Sequence, residues 1–509
     1  MKKGFIRTVA LILVFSMCLA FASCGKKKKK KPNYGGSVTV GITHEPMSFD
    51  PHTPYYEQDR EVLSNIYESL LTFDWKGELK PCLATEYSVS PDARSYTFTI
   101  REDVRFNDGT ELDPSDVVYS VKRAAGLLDP ANDIPVDDAL SVITDATIDP
   151  EGRVVVTLDS PDSELLELYM IAIIPDGADN IGETMIGTGP FKFASREEGQ
   201  TVTLVKNDDY RVNEKPYLDS VTFKIFPDVA SAFPQLISGE IDILPYISTE
   251  TAMELDPEQF SIHHRDSNRL QILALNNEAA PFDDIRVRQA INYALDRDEI
   301  ISVSSYDGVT GEPLTTAMSP IMVGAYDPSL NGTYARDLTT ARALMTQAGY
   351  PDGFDMTITI PDNDAKSSSL ASVIADQLSA IDIRVTIQSL SEETWYEDTF
   401  TNRDYESAIV TISDPFDPYE VISRYEMHSD DNLINYSNAL AERLIQMIPL
   451  TADEETRTDL YHQLLKIITD DAASCYLQDQ QYLGAVNKRV GGYHIYPMYI
   501  QNMSTVYIK

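Results

Sequence analysis

From residue 37 onward the chain alternates between two hydrophobic periods. Ser37-Val38-Thr39-Val40-Gly41 puts apolar side chains at every second position, the pattern of a half-buried strand. Tyr96-Thr97-Phe98-Thr99-Ile100 repeats that pattern, and Asn107-Asp108-Gly109 beyond it supplies a tight turn, since glycine tolerates positive φ. Val154 to Leu158 and Thr201 to Val205 read as further strands. Elsewhere the period lengthens to that of a helix. Asp113-Pro114-Ser115-Asp116 offers N-cap chemistry for a helix through Val117, Val118 and Val121. Arg286 to Leu295 brings Val287, Ala290, Ile291 and Ala294 to one helical face, and Leu338 to Gln347 is a second such helix, ended by Gly349. Ser369 to Ile381 and Ala439 to Met447 extend the pattern. The result is a mixed α/β chain without internal repeats. Its ~475 residues beyond the N-terminal segment exceed what one hydrophobic core serves, so two or more lobes are expected.

The N-terminus follows a different logic. Lys2, Lys3 and Arg7 flank an apolar run from Val9 through Ala20 that is too short to span a bilayer and ends in small residues, as a secretory signal does. Phe21-Ala22-Ser23-Cys24-Gly25 then resembles a bacterial lipobox, with Phe21 standing where leucine is usual. That resemblance implies acylation of Cys24 and loss of residues 1–23. Lys26 to Lys31 is an unbroken lysine run, which repels itself and is expected to be an extended tether to residue 36, reinforcing the anchor at an anionic surface. The chain is thus expected on the outer face of the cytoplasmic membrane, held there by lipid.

Charge narrows the function. The net formal charge is −39, and removing residues 1–23, which carry three bases and no acids, takes it to −42. Such a surface argues against nucleic acid and polyanionic partners. Beyond the anchor only Cys82 and Cys475 remain, and both read as small packing residues rather than a disulfide. Of seven histidines only His263 and His264 are adjacent, and strand neighbours face opposite ways, so no metal site is expected. Neither a Gly-x-Ser-x-Gly elbow, nor a His-Glu-x-x-His helix, nor a reactive-cysteine signature occurs, so the chain is not expected to be an enzyme or to need a cofactor.

Several blocks carry a family resemblance. Ser95 to Arg101, Val104-Arg105-Phe106-Asn107-Asp108-Gly109 and Ser115 to Arg123 are followed by Gly187-Thr188-Gly189-Pro190-Phe191, Leu236 to Asp242, Pro281 to Ile291 and Tyr293-Ala294-Leu295-Asp296-Arg297. In that order they are similar to the family 5 extracellular solute-binding proteins of ATP-binding-cassette importers. The resemblance implies an α/β, two-lobed fold of the periplasmic-binding-protein type II class, in its large variant with an extra subdomain in the first lobe. The first lobe would cover 37–270, completed by 488–509, and the second 271–487. It implies a monomer that closes on a small peptide and hands it to the membrane permease, with an oligosaccharide or a nickel or metal-complex ligand as alternatives. The blocks themselves read as fold markers. Gly187 to Pro190 suits a bend, and Arg286, Arg288 and Arg297 are expected to pair with Asp284, Asp296 and Asp298.

Four residues are candidates for ligand contact. Asp414, in Ser413-Asp414-Pro415-Phe416-Asp417-Pro418, stands where peptide-binding relatives place the partner of the ligand's α-ammonium, or else it stabilises the turn between the two prolines. Lys366 is a possible partner for a ligand carboxylate, without arginine's bidentate fork. Trp395, with Tyr396, and Tyr419 are aromatic surfaces on which a sugar ring could stack.

Overall fold

A computed structural model describes residues 32–53, 56–128, 138–178, 180–303, 311–413 and 416–509. Its strands, in chain order, are β1 (Ser37–Ile42), β2 (Leu71–Phe73), β3 (Leu79–Pro81), β4 (Ala84–Val89), β5 (Ser95–Ile100), β6 (Ile143–Ile148), β7 (Val154–Leu158), β8 (Phe191–Glu197) and β9 (Thr201–Lys206). They continue as β10 (Ser220–Ile225), β11 (Ile243–Ile247), β12 (Phe260–Leu275), β13 (Gly311–Pro313), β14 (Asp355–Pro361), β15 (Arg384–Leu390), β16 (Ser407–Ser413), β17 (Cys475–Asn487), β18 (Val490–Gly491) and β19 (Tyr507–Ile508).

One mixed sheet runs through the molecule in the order β15-β14-β16-β12-β17-β11-β1-β10-β9-β8, with β13 paired on β17. Two long strands join its halves. β12 and β17 pair antiparallel from Phe260↔Asn487 to Leu273↔Cys475. Their register slips between Asp266 and Arg269, where Asn268 adopts φ +55°, and again between Gln271 and Ile272. Such irregularities bend a strand pair. Hydrophobic cores lie on either side of this bend. Val38, Val40, Phe223 and Ile243 pack with Val486 on one side. On the other, β12 buries Ile272 and Ala274 against Val410 and Tyr461, and Leu273 and Leu275 against Ile291 and Ile374. A strand buried on both faces reads as a continuous apolar run, as Leu270 to Leu275 largely does. A separate four-stranded sheet, β4-β5-β7-β6, has its own core of Tyr96, Phe98, Val117, Val121, Val154 and Val156. This is the large two-lobed type II architecture with its additional subdomain.

Local chemistry explains the element ends. Asp113 caps the helix Pro114–Ala124, and Asp116 returns the bond in a capping box. Gly349, at φ +94°, ends the helix Leu338–Ala348. The next helix, Ala365–Ser379, starts four residues before the apolar pattern does, because Asp364 accepts from the N–H groups of Lys366 and Ser367. The Gly187-Thr188-Gly189 segment proves to be more than a bend. A β-carbon on Gly187 would sit 2.2 Å from the Ile66 carbonyl oxygen, and one on Gly189 2.5 Å from that of Asn65. Only glycine allows this backbone-to-backbone approach. Cys82 and Cys475 are both buried and free.

The arginines correct the expectation of helical ion pairs. Arg286 does pair with Asp284. Arg288 and Arg297 are instead buried and donate to backbone. Arg288 donates to the carbonyls of Phe282, Asp471 and Ala472 at 2.7, 2.8 and 3.1 Å. Arg297 donates to the carbonyls of Tyr476 (2.7 Å) and Tyr334 (3.2 Å) and to the side-chain oxygen of Asn292 (2.8 Å). Asp296 caps the helix Arg297–Ser302 and pairs with Arg336.

Candidate functional site: the interlobe cleft

Strand direction defines where a ligand would meet the chain. β16 runs antiparallel to β12, with Leu275 opposite Ser407 and Arg269 opposite Ser413, so its C-terminal end lies at the bend. β14 and β15 run parallel to it. In the first lobe β11 runs antiparallel to β17, from Ile243↔Val486 to Ile247↔Leu483, and β1 and β10 are parallel to it. Both sets of parallel strands therefore aim their C-terminal ends at the same junction, the place where open α/β sheets bind ligands.

Aromatic and ionisable side chains gather around this junction. Tyr246, at φ +56° in the bulge ending β11, packs against Tyr499 and Tyr482 with ring centroids at 4.8 and 5.0 Å. A non-glycine residue in the left-handed region is strained, and such strain collects at functional sites. Tyr482 and Tyr499 lie 5.9 Å apart, so three distant segments form one half-buried aromatic surface. Behind it Glu61 is 3 % exposed, with one carboxyl oxygen that has no partner among the described residues, and burial pushes its pKa up to about 8. At the bend, Asp479 accepts from Ser319 and from the Arg269 N–H (3.0 Å), and burial pushes its pKa to about 7. Trp75, in the β2–β3 turn, stacks on His494 at 4.6 Å with the Arg265 guanidinium 5.4 Å from its ring.

Contacts already join the lobes. Phe73 meets Phe416 edge-on at 5.0 Å. The Tyr461 hydroxyl donates to Glu164 at 2.7 Å, and the Ser163 N–H donates to the Pro449 carbonyl at 3.0 Å.

The sequence candidates fall in several places. Asp414 lies outside the described residues, as does Cys24; the residue before Asp414, Ser413, is exposed at the end of β16 opposite Arg269. Lys366 is exposed at the cleft-facing end of its helix and pairs with Glu250 of the first lobe at 3.1 Å. Trp395 packs on the second-lobe core, edge-on to Phe400 at 5.6 Å. Tyr419 packs on the same core, where its N–H donates to the Asp417 carboxylate that caps the helix Pro418–Ser423. Among the described residues no cluster of three or more His, Cys, Asp or Glu side chains is arranged to hold a metal ion.

Residues 78–432 match the model of "Bacterial extracellular solute-binding proteins, family 5 Middle". The chain belongs to that family. Among relatives of this family 5 protein, the probable D,D-dipeptide-binding periplasmic protein DdpA of Escherichia coli is 27 % identical over 98 % of both chains. The oligopeptide-binding protein AppA of Bacillus subtilis is 24 % identical over 96 % of this chain and 95 % of its own. Among solved structures, the unliganded open form of the periplasmic murein tripeptide-binding protein MppA superposes with a TM-score of 0.81 at 20 % identity, over 94 % of this chain and 99 % of its own. HbpA2 of Haemophilus parasuis superposes with a TM-score of 0.79 at 23 % identity, over 93 % of this chain and all of its own. The structural likenesses concern the fold. The tyrosine surface of this family 5 protein carries no local sequence signal, since residues 246, 482 and 499 meet only in the fold.

Proposed function

We propose that this chain is the solute-capturing subunit of an ATP-binding-cassette importer and that its cargo is a small peptide held between the lobes. The observation that carries the reading is the convergence of both sets of strand C-termini on one bend, in a chain of this family. Relatives named for dipeptides and oligopeptides along nearly the whole chain support the ligand class. In this reading Asp414 accepts the ligand's α-ammonium, the tyrosine surface takes a side chain, and Arg269 or Lys366 faces the carboxylate. Lys366 would first have to leave Glu250. Cys24, acylated, and the lysine run after it would tether a monomer at the outer face of the membrane, beside the permease it serves.

Native mass spectrometry of protein lacking residues 1–33, before and after mild denaturation, tests this. A heterogeneous set of released masses matching short peptides is expected. Asp414→Asn should weaken retention of a released peptide by roughly 10- to 100-fold, the worth of one hydrogen bond to a charged group. A single sugar, haem or metal complex would overturn the peptide assignment and leave the solute-binding assignment standing.

A further inference from the structure

At the bend, one row of side chains crosses three neighbouring strands. Arg269 of β12 lies opposite Ser413 of β16 on one side and opposite Gln480 of β17 on the other. Directly opposed residues of antiparallel strands project from the same face, with β-carbons roughly 5 Å apart. Tyr482 stands two residues beyond Gln480 on β17, so that face carries the tyrosine surface beside the row. Building on the peptide reading, we propose that Ser413, Arg269 and Gln480 receive the C-terminal carboxylate of the cargo and select peptides whose C-terminus is free. Arg269, rather than Lys366, is then the cation that meets the carboxylate.

The row is open to solvent. Ser413 and Arg269 are exposed, Gln480 is half-buried, and none of the three side chains makes a hydrogen bond or ion pair among the described residues. The next row into the second lobe differs: Gln271 and Gln478, also opposed, are buried and hydrogen-bond each other at 2.6 Å. Leu270 and Asp479, which alternate with the open row, are buried as well. The backbone fixes the aim of Arg269. The register slips just before it, Asn268 sits at φ +55°, and the Asp479 carboxylate accepts the Arg269 N–H at 3.0 Å. Bulges re-aim side chains next to binding sites, and backbone strain collects there. Burial raises the pKa of the Tyr482 hydroxyl and the Arg269 charge opposes that rise, so the guanidinium acts on the tyrosine surface. Chemically the row is a charged donor flanked by a hydroxyl and an amide, the complement of a carboxylate. It offers an ammonium group no carboxylate. In a chain of net charge −39 a ligand carboxylate is repelled by the surface as a whole, so a local, uncommitted cation decides whether it binds. Lys366, by contrast, is committed to Glu250 at 3.1 Å.

The test is a competition. Purified protein is incubated with an excess of random-sequence peptides of two to five residues, half free acids and half C-terminal amides, and the retained peptides are identified by mass spectrometry. Free acids should outnumber amides by about 10-fold or more, the worth of one charge-assisted hydrogen bond. Arg269→Gln removes no intramolecular side-chain contact, so it should melt as the wild type does, retain amides as before and lose the preference for acids. Ser413→Ala should lower that preference roughly threefold. Equal retention of acids and amides by the wild type, or a preference that persists in Arg269→Gln, overturns the proposal and leaves the peptide reading standing. A preference kept in Arg269→Gln but lost in Lys366→Gln moves the carboxylate to the second-lobe lysine and equally ends the proposal. If neither half of the pool is retained, the peptide reading itself fails, and the carboxylate site with it.

Discussion

Arg297→Ala is expected to lower the stability of the second lobe by about 3 kcal/mol or more. The guanidinium is fully enclosed and satisfies three acceptors at once: the Tyr476 carbonyl on β17, the Tyr334 carbonyl and the Asn292 side-chain oxygen. Each buried acceptor left without a donor costs about 1–3 kcal/mol, and the vacated volume adds a cavity term. Removing the buried charge returns some desolvation, visible in the downward shift of the arginine's pKa by burial. That return is smaller than three lost bonds, because carbonyl dipoles already compensate the charge. Arg297→Lys keeps the charge but forfeits the planar fork, so it should recover only part of the loss. For a lobe of this size the expected drop in Tm is roughly 6–12 °C. The chain has two tryptophans, and Trp395 sits on the second-lobe core, so fluorescence in a Trp75→Phe background reports that lobe alone. A drop of less than ~2 °C in that signal would show that the network is dispensable.

The same arginines mark how far the sequence carries. Periodicity is a local property, and elements that rest on it were legible. Val117 and Val121, Val287 and Ile291, and the helix Ala439–Met447 lie in the structure where their spacing predicts. Caps were legible for the same reason, since Asp113 and Gly349 act within one turn of their own position. Arg288 was misread because a charged residue in a helix ordinarily faces water. Yet it stands three, four and seven residues before Ile291, Asn292 and Leu295, all of them buried, so its place on the inward stripe was written in the spacing. The cleft was less legible. Lys366 and Asp414 could be placed near it only by resemblance. Tyr246, Tyr482 and Tyr499 come from three segments whose meeting depends on the register of β11 and β17, and no local pattern encodes that.

Burial of acids in so acidic a chain has a second large consequence: stability should fall as pH rises through neutrality. Glu61, pushed to about 8, and Asp479, pushed to about 7, keep their protons in the folded state well after the unfolded chain has lost its own. Between the unfolded carboxyl range near 4 and each folded value, the folded state therefore binds more protons, and stability declines with increasing pH. His52 works the other way, since burial lowers it to about 4, so the unfolded state binds the extra proton and stability rises with pH. That opposing slope ends near 6.5, the unfolded value for histidine. The window from pH 6.5 to 8 consequently isolates the carboxyls, and within it Glu61 alone accounts for roughly 2 kcal/mol of decline. Carboxylates whose pKa is lowered by arginine or backbone donors, such as Asp284, titrate far below this window and do not contribute. Glu61→Gln substitutes a neutral group beside the same Tyr246 and Tyr493 rings and should abolish most of the slope. The measurement is Tm at half-unit pH intervals for both proteins. The Glu61→Gln curve should rise relative to the wild type as pH increases from 6.5 to 8, and two parallel curves would mean that Glu61 is ionised in the folded chain.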